Sequence, residues 1–411
     1  MKTKKIPTLQ FKSEKSEWSW KYLKDISKKV TEKNKDNQYT ETLTNSAELG
    51  IINQRDYFDK DISNQKNLNG YYIVRPDDFV YNPRISSFAP VGPIKRNKLG
   101  RTGVMSPLYY VFRTQNIDLQ YLEFYFSSVK WHLYMKQNGD SGARSDRFAI
   151  KDIVFGEMPI PYPSKDIQRK IGSFFKDLDD LISRHQQELD ALKQTKQGFL
   201  QKMFPREGQL IPMIRFNEFK DNWTKKLLEQ KGKLRSGIGF SEIEQGGTEG
   251  IPFYKVSDMN HRDNKMKMKI ANNYVTDQQI KSKKWSVIEE VPAIIFAKVG
   301  AALMLNRKKL VTTSFLIDNN LMSYSFNSEW DSYFGYTLFQ TIFLPKYAQV
   351  GALPSFNISD VSNIEILLPS YNEQVKIGKF FRQLDEVIEL KEQELEALKQ
   401  TKKGFLQKMF I

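Results

Sequence analysis

Ile171 to Phe204 reads IGSFFKDLDDLISRHQQELDALKQTKQGFLQKMF, and Ile377 to Phe410 reads IGKFFRQLDEVIELKEQELEALKQTKKGFLQKMF. At an offset of 206 the two segments share 23 identical positions out of 34, and most other pairs are conservative, such as Lys176 with Arg382 and Asp190 with Glu396. The chain therefore repeats itself. Upstream the likeness is thinner. Phe11 and Trp18 match Phe216 and Trp223 at an offset of 205, and Phe148 and Ile150 match Phe356 and Ile358, behind Gly142-Ala143 and Gly351-Ala352. Pro161 and Pro163 lead into the first repeated segment, and Pro369 leads into the second. Two units of about 205 residues fill the chain, each a divergent globular part followed by a nearly invariant tail.

The tails are helices by pattern. Ile171, Phe174, Leu178, Leu181, Ile182, Leu189, Leu192, Phe199 and Met203 recur at three- and four-residue steps, as do Ile377, Phe380, Leu384, Ile388, Leu395, Leu398, Phe405 and Met409. Ser370 and Glu373 have the spacing of a capping box, and Ser164 can cap the first helix although its box partner is missing. A helix of such length extends roughly 55 Å, more than one small domain covers. Each tail is therefore expected to pack on the other, through Phe174, Leu178, Ile182, Leu189 and Leu192 of the first and Phe380, Leu384, Ile388, Leu395 and Leu398 of the second. Two separate surface helices are the other arrangement the pattern permits. Gly198 and Gly404 fall late in the tails, where glycine is expected to loosen or end a helix.

The globular parts read as mixed α/β. Tyr71 to Val74, Phe79 to Tyr81, Leu108 to Phe112, Ala293 to Phe296, Phe315 to Ile317 and Met322 to Phe326 are short strand-like runs between turn residues. Ile117 to Met135 and Ser332 to Tyr347 read as aromatic-rich helices. The expected organisation is a first globular domain over 1–163, a long helix over 164–204, a linker over 205–216, a second globular domain over 217–369 and a second long helix over 370–411.

The chain has 411 residues, 63 Lys and Arg against 48 Asp and Glu, a net charge of +15 and no cysteine. Disulfides, thiolate nucleophiles and sulfur-ligated zinc are thereby excluded, and a reducing cytoplasm fits. The N-terminus has no apolar stretch behind it, and the longest apolar run, Val291 to Leu305, is broken by Pro292 and Lys298, so no membrane association is expected. The charge is unevenly spread. Residues 166–204 carry 7 basic and 6 acidic side chains and 370–411 carry 8 and 7, whereas 1–165 hold 27 against 18 and 205–369 hold 21 against 17. Two different basic domains on one repeated frame suggest two different readings of a polyanion, double-stranded DNA above all. The candidate DNA-contacting residues are Arg84, Lys95, Arg96, Lys98, Arg101, Arg113, Arg144 and Arg147 in the first half, and Arg262, Lys265, Lys298, Arg307, Lys308 and Lys309 in the second. A solvated basic surface is the bland alternative for any one of them.

Catalytic groups are scarce. His132 lies in an aromatic-rich segment, His185 corresponds to Lys391 in the repeat, His261 stands in a basic loop, and no two are spaced as a metal pair. Ser236-Gly237-Ile238-Gly239 lacks the Lys-Ser/Thr ending of a phosphate loop. Asn82-Pro83-Arg84-Ile85 lacks the second proline and the aromatic residue of an adenine-methyltransferase motif, and Glu389-Leu390-Lys391 has no upstream Asp partner for nuclease chemistry. The chain reads as non-catalytic, with no metal and no cofactor of its own.

Two globular domains, each followed by a helix carrying Glu-x-x-Lys-Gln-Thr-Lys or its near match and ending Gly-Phe-Leu-Gln-Lys-Met-Phe, resemble the specificity (S) subunit of type I restriction-modification enzymes. The resemblance spans the chain and includes Arg215-Phe216-Asn217-Glu218-Phe219, Ile251-Pro252-Phe253-Tyr254 and Pro369-Ser370-Tyr371-Asn372-Glu373-Gln374. The first half departs from it at Lys12 to Glu17 and at Asp166-Ile167-Gln168, which stands where a Glu-Gln pair is expected. The resemblance implies an antiparallel coiled coil between two target-recognition domains. Each domain would read one half of a split, asymmetric DNA target, and the helices would set the gap. Two methyltransferase subunits using S-adenosylmethionine would dock on the conserved regions, and restriction subunits would add ATP- and Mg-dependent cleavage. A scaffold binding proteins and DNA without sequence preference, and a stand-alone DNA enzyme, are the competing readings.

Overall fold

The computed structural model describes residues 6–11, 17–57, 65–140, 146–349 and 353–411; Arg144 and the two Gly-Ala dipeptides lie outside them. The chain divides into two units, Met1–Gln186 with Gln393–Ile411, and Gln187–Glu392.

In the first unit β1 (Ser19–Tyr22), β2 (Ser27–Lys29), β3 (Phe79–Tyr81), β4 (Ile94–Arg96), β5 (Tyr110–Thr114) and β6 (Pro159–Tyr162) form its two main sheets. The larger is antiparallel in the order β2-β5-β3-β4, and β1 pairs with β6. A helix α1 (Leu119–Ser127) packs against the sheet, and Phe79, Phe112, Tyr121, Phe126 and Phe155 make the core. Sequence periodicity predicts one helix from Ile117 to Met135. The helix instead stops at Ser127 and a second begins at His132, because the Ser127 and Ser128 hydroxyls donate to the Glu123 and Tyr125 carbonyls and so compete with the helical ladder.

The second unit repeats this plan. Its strands β7 (Thr224–Leu227), β8 (Gly232–Ser236), β9 (Ala293–Ala297), β10 (Lys308–Val311), β11 (Leu321–Phe326) and β12 (Glu365–Leu368) give an antiparallel sheet β8-β11-β9-β10 and a β7-β12 pair. The helix equivalent to α1 is Ser332–Thr341; it ends before Tyr347 because Pro345 cannot continue the helical ladder, and a short 3-10 turn follows.

The two tails are single helices, α2 (Lys165–Lys202) and α4 (Tyr371–Lys408), with α3 naming Ser332–Thr341 between them; each tail has 38 residues. They run through Gly198 and Gly404, contrary to the expected break, since these positions face open space and cost only backbone entropy. The start of α2 and the end of α4 lie in the first unit, while the end of α2 and the start of α4 lie in the second. In each unit the two pack antiparallel: Phe174 meets Phe405 edge-on at 5.2 Å in the first, and Phe199 meets Phe380 at 4.9 Å in the second. Lys402 pairs with Asp179 in the first unit, and Lys196 pairs with Asp385 in the second, so the lysine ending each Lys-Gln-Thr-Lys run reaches the other tail. All ten expected seam residues are buried or half-buried, with Leu189, Ile388 and Leu395 the most enclosed. Phe175 and Phe381, the second aromatics of the Phe-Phe pairs, are 0% exposed and enter the domain cores instead.

Each tail also begins the same way. Ser164 and Ser370 hydroxyls accept the Ile167 and Glu373 amides. Gln168 accepts the Asp118 amide and donates to Pro163 O, and Gln374 does the same with Asp331 and Pro369. Asp118 and Asp331 are in turn the N-caps of α1 and α3. Gly172 and Gly378 let the tails approach these caps; a Cβ on Gly378 would lie 2.1 Å from Asp331 Oδ1. Gly378→Ala is therefore expected to destabilise the second unit by about 1–3 kcal/mol, while Gly404→Ala should stabilise by about 0.5–1 kcal/mol. Thermal unfolding of the two variants checks this, and equal effects would mean the close approach is not real.

Candidate nucleic-acid interface

Strand pairing places the two sheets in one register. Val80 faces Lys95 and Val111 in the first, and Ile295 faces Lys309 and Ser323 in the second, so Lys95 and Lys309 hold the same place on edge strands β4 and β10. Burial lowers the pKa of both, with Glu123 opposing the shift at Lys95 and Arg307 adding to it at Lys309.

Several arginines and lysines expected at DNA are committed to carboxylates. Arg96 is only 12% exposed and reaches Glu123 at 2.7 Å; its place in the second sheet is taken by the core residue Leu310. Lys98 shares Glu123. Arg101 holds Glu41 with two nitrogens, which keeps the Glu41 carboxyl below its usual range. Arg113 grips Asp78, whose side chain is 1% exposed. Lys308 is buried and donates to Asn306 and the Ile342 carbonyl at the end of α3; burial takes its pKa down to about 7. It caps a helix rather than presenting a charge to solvent, contrary to the sequence expectation.

The second unit gathers its remaining basic residues. The loop His261–Lys265 and the turn leading into β10 converge on an open cleft of about 780 Å³ lined by His261, Arg262, Lys265, Arg307, Lys309 and Glu392. Sequence spacing gave no sign that these two runs meet. Arg307 bonds Asn260, and Lys309 donates to Lys265 O. Burial alone would raise the Glu392 carboxyl, but Lys193 and Lys265 hold it below its usual range. Arg262 is exposed and has no side-chain partner among the described residues. Lys298 is half-buried and donates to Ser236 Oγ.

In the first unit, Arg84 and Arg147 are brought together. The β3–β4 loop and the segment before Ala149 pair at Arg84 and Arg147, with Ile85 N donating to Asp146 O at 3.0 Å and Phe148 N to Pro83 O at 2.8 Å. Arg84 is exposed without a side-chain partner among the described residues, and Arg147 lies only loosely near Asp146, at 3.9 Å. Both line a cleft of about 500 Å³ with Asn45, Asn82, Phe88 and Tyr109.

No group of three or more potential metal ligands occurs among the described residues, and none of their helices is long and apolar enough to cross a membrane. Each histidine has its own surroundings: His132 is packed on Trp131, His185 lies 3.7 Å from Glu394, and His261 lies beside Asp263. Exposed guanidinium groups without carboxylate partners, Arg84 in the first unit and Arg262 in the second, lie on two divergent domains that share one frame and end in like helices, an arrangement suited to a DNA-targeting chain with two readers.

Comparison with known proteins agrees. Residues 15–194 and 220–400 each match the type I restriction modification DNA specificity domain, and the chain belongs to that family. Among relatives, it is 23% identical over 336 residues to the type I restriction enzyme MjaVIII specificity subunit of Methanocaldococcus jannaschii, covering 75% of this chain and 73% of the relative. It is 27% identical over 329 residues to the MjaIX specificity subunit of the same organism, covering 76% and 70%. A type I restriction-modification S subunit from M. genitalium shares its fold, with a TM-score of 0.57 and 14% identity over 99% of each chain. A chain from a structure on complex assembly of the type I R-M system gives 0.61, with 13% identity over 96% of this chain and 97% of that one. As a member of that family, the chain is a non-catalytic targeting component that confers DNA specificity.

The phosphate contribution is testable on one residue. Arg262→Ala should reduce the slope of log affinity against log salt by about 1, uniformly across DNA sequences. An unchanged slope would place Arg262 off the DNA.

Proposed function

We propose that the two globular domains read the two halves of a split, asymmetric DNA target while α2 and α4 hold them at a set spacing and dock two methyltransferase subunits. The observation that carries this reading is one frame repeated with different surfaces. The tails, caps and sheet register are shared between the units, whereas the exposed basic side chains differ, as at Arg84 and its counterpart Val299. Shared parts suit a partner that binds twice in the same way; divergent parts suit two different half-sites. The near balance of charge on the tails, against the excess on the globular parts, supports the same division.

Methyltransferase partners would bring S-adenosylmethionine, and restriction subunits would bring ATP and Mg; this chain supplies the address, in the cytoplasm where chromosomal DNA is met. Sequencing of modified adenine in cells holding the methyltransferase subunit, with and without this chain, tests the proposal. A split motif appearing only with the chain is the expected result. Absence of any motif, with both proteins folded and associated, would favour a scaffold that binds DNA without preference.

A further inference from the structure

We infer that Arg84 and Arg147 form the base-reading element of the first domain and that one of them contacts a guanine in its half-site. The inference rests on the reading of the chain as a two-half DNA reader, and begins from a joint that both units possess. In the first, Arg84 pairs with Arg147 and Phe148 N donates to Pro83 O. In the second, Val299 pairs with Ser355 and Phe356 N donates to Lys298 O. The backbone geometry is the same, and the side chains at the paired positions are different. A place where a common frame exchanges two arginines for valine and serine is where two readers differ.

The joint is braced in the first unit. Asn45 donates to the Val80 and Pro93 carbonyls, pinning both ends of the β3–β4 loop. Asn82 spends its amide on Asn45 O and on the Arg84 amide. Gly92 has φ +81°, and a Cβ there would lie 2.1 Å from Asn82 O, so the turn tolerates only glycine. These amides hold the loop and are therefore unavailable to read adenine. The arginines are the groups left with free donors, and a guanidinium fork matches guanine O6 and N7 in the major groove. Phe88, 70% exposed on the same loop, gives the cleft an apolar wall. Arg96, Arg101 and Arg113 are held by Glu123, Glu41 and Asp78, so the basic loop that the sequence favours is the structural one.

The test uses the full chain with its methyltransferase subunit. Arg84→Val with Arg147→Ser, the residues of the second unit, should make one position of one half-site degenerate and leave the other half unchanged. Discrimination for that guanine should fall about 10- to 100-fold in competition binding. Arg84→Lys with Arg147→Lys keeps the charge and the donors but loses the planar fork, so discrimination should weaken at the same position and nowhere else. An unaltered motif at reduced methylation with Arg84→Val and Arg147→Ser would mean phosphate contacts and would overturn the inference. A wild-type motif with no G·C pair in either half would also overturn it. If the wild-type chain directs no motif at all, the reading of the whole protein fails instead.

Discussion

Glu373→Ala is expected to destabilise the second unit by about 3–5 kcal/mol, the cost of leaving a largely buried arginine unpaired. Arg215 clasps both Glu373 oxygens, at 2.7 and 2.8 Å, and the Trp223 indole N–H donates to the same carboxylate. Their side chains are 11% and 1% exposed. The first unit shows how the pair is dispensed with. Offset by 205 and 206, the matching positions are Gln10 and Ile167, so both charges are absent together. Removing both partners of a buried pair is far milder than removing one. Arg215→Gln with Glu373→Ile should therefore cost about 1 kcal/mol, from the stranded Trp223 N–H. Chemical denaturation of the two variants measures the difference. Equal losses would mean that the pair does not act as a unit.

The second large effect concerns the tails. Leu178→Asp with Leu384→Asp places a carboxylate at a half-buried position of the helix contact in each unit, the two positions being equivalent in the repeat. Burying an unpaired charge costs several kcal/mol unless the site opens to water, so both helix contacts should loosen and capture of the methyltransferase subunit should be lost. Pull-down of that subunit, with circular dichroism to show that the domains persist, gives the result. A double variant that assembles normally would place the docking surface elsewhere.

The repeat, the tails and their seam were legible because near-identity and a 3.6-residue period survive in one dimension. Strand positions followed from short apolar runs, and Phe79–Tyr81 agrees end to end. The break after Ser127 was hidden because it depends on hydroxyls bonding backward rather than on a glycine or proline. The state of the arginines was hidden for a different reason. Arg101 and Arg113 meet carboxylates 60 and 35 residues away, and only the fold reveals such partners. Asp166-Ile167-Gln168 looked like a departure from the family pattern, yet Gln168 keeps its bonds and Ile167 removes an acid whose arginine is also gone. The Ser370–Glu373 spacing suggested a capping box; Ser370 does cap, but Glu373 turns to Arg215.

If each domain reads its own half-site on a common frame, a second copy of the first globular domain in place of residues 217–369, meeting nearly the same helix sequences, will read the first half-site twice. With the chimera shown to fold and to bind its methyltransferase, adenine-modification sequencing should reveal a palindromic target built from one repeated half-site. Persistence of the original asymmetric motif, or methylation without sequence preference, would mean that the half-sites are not read domain by domain.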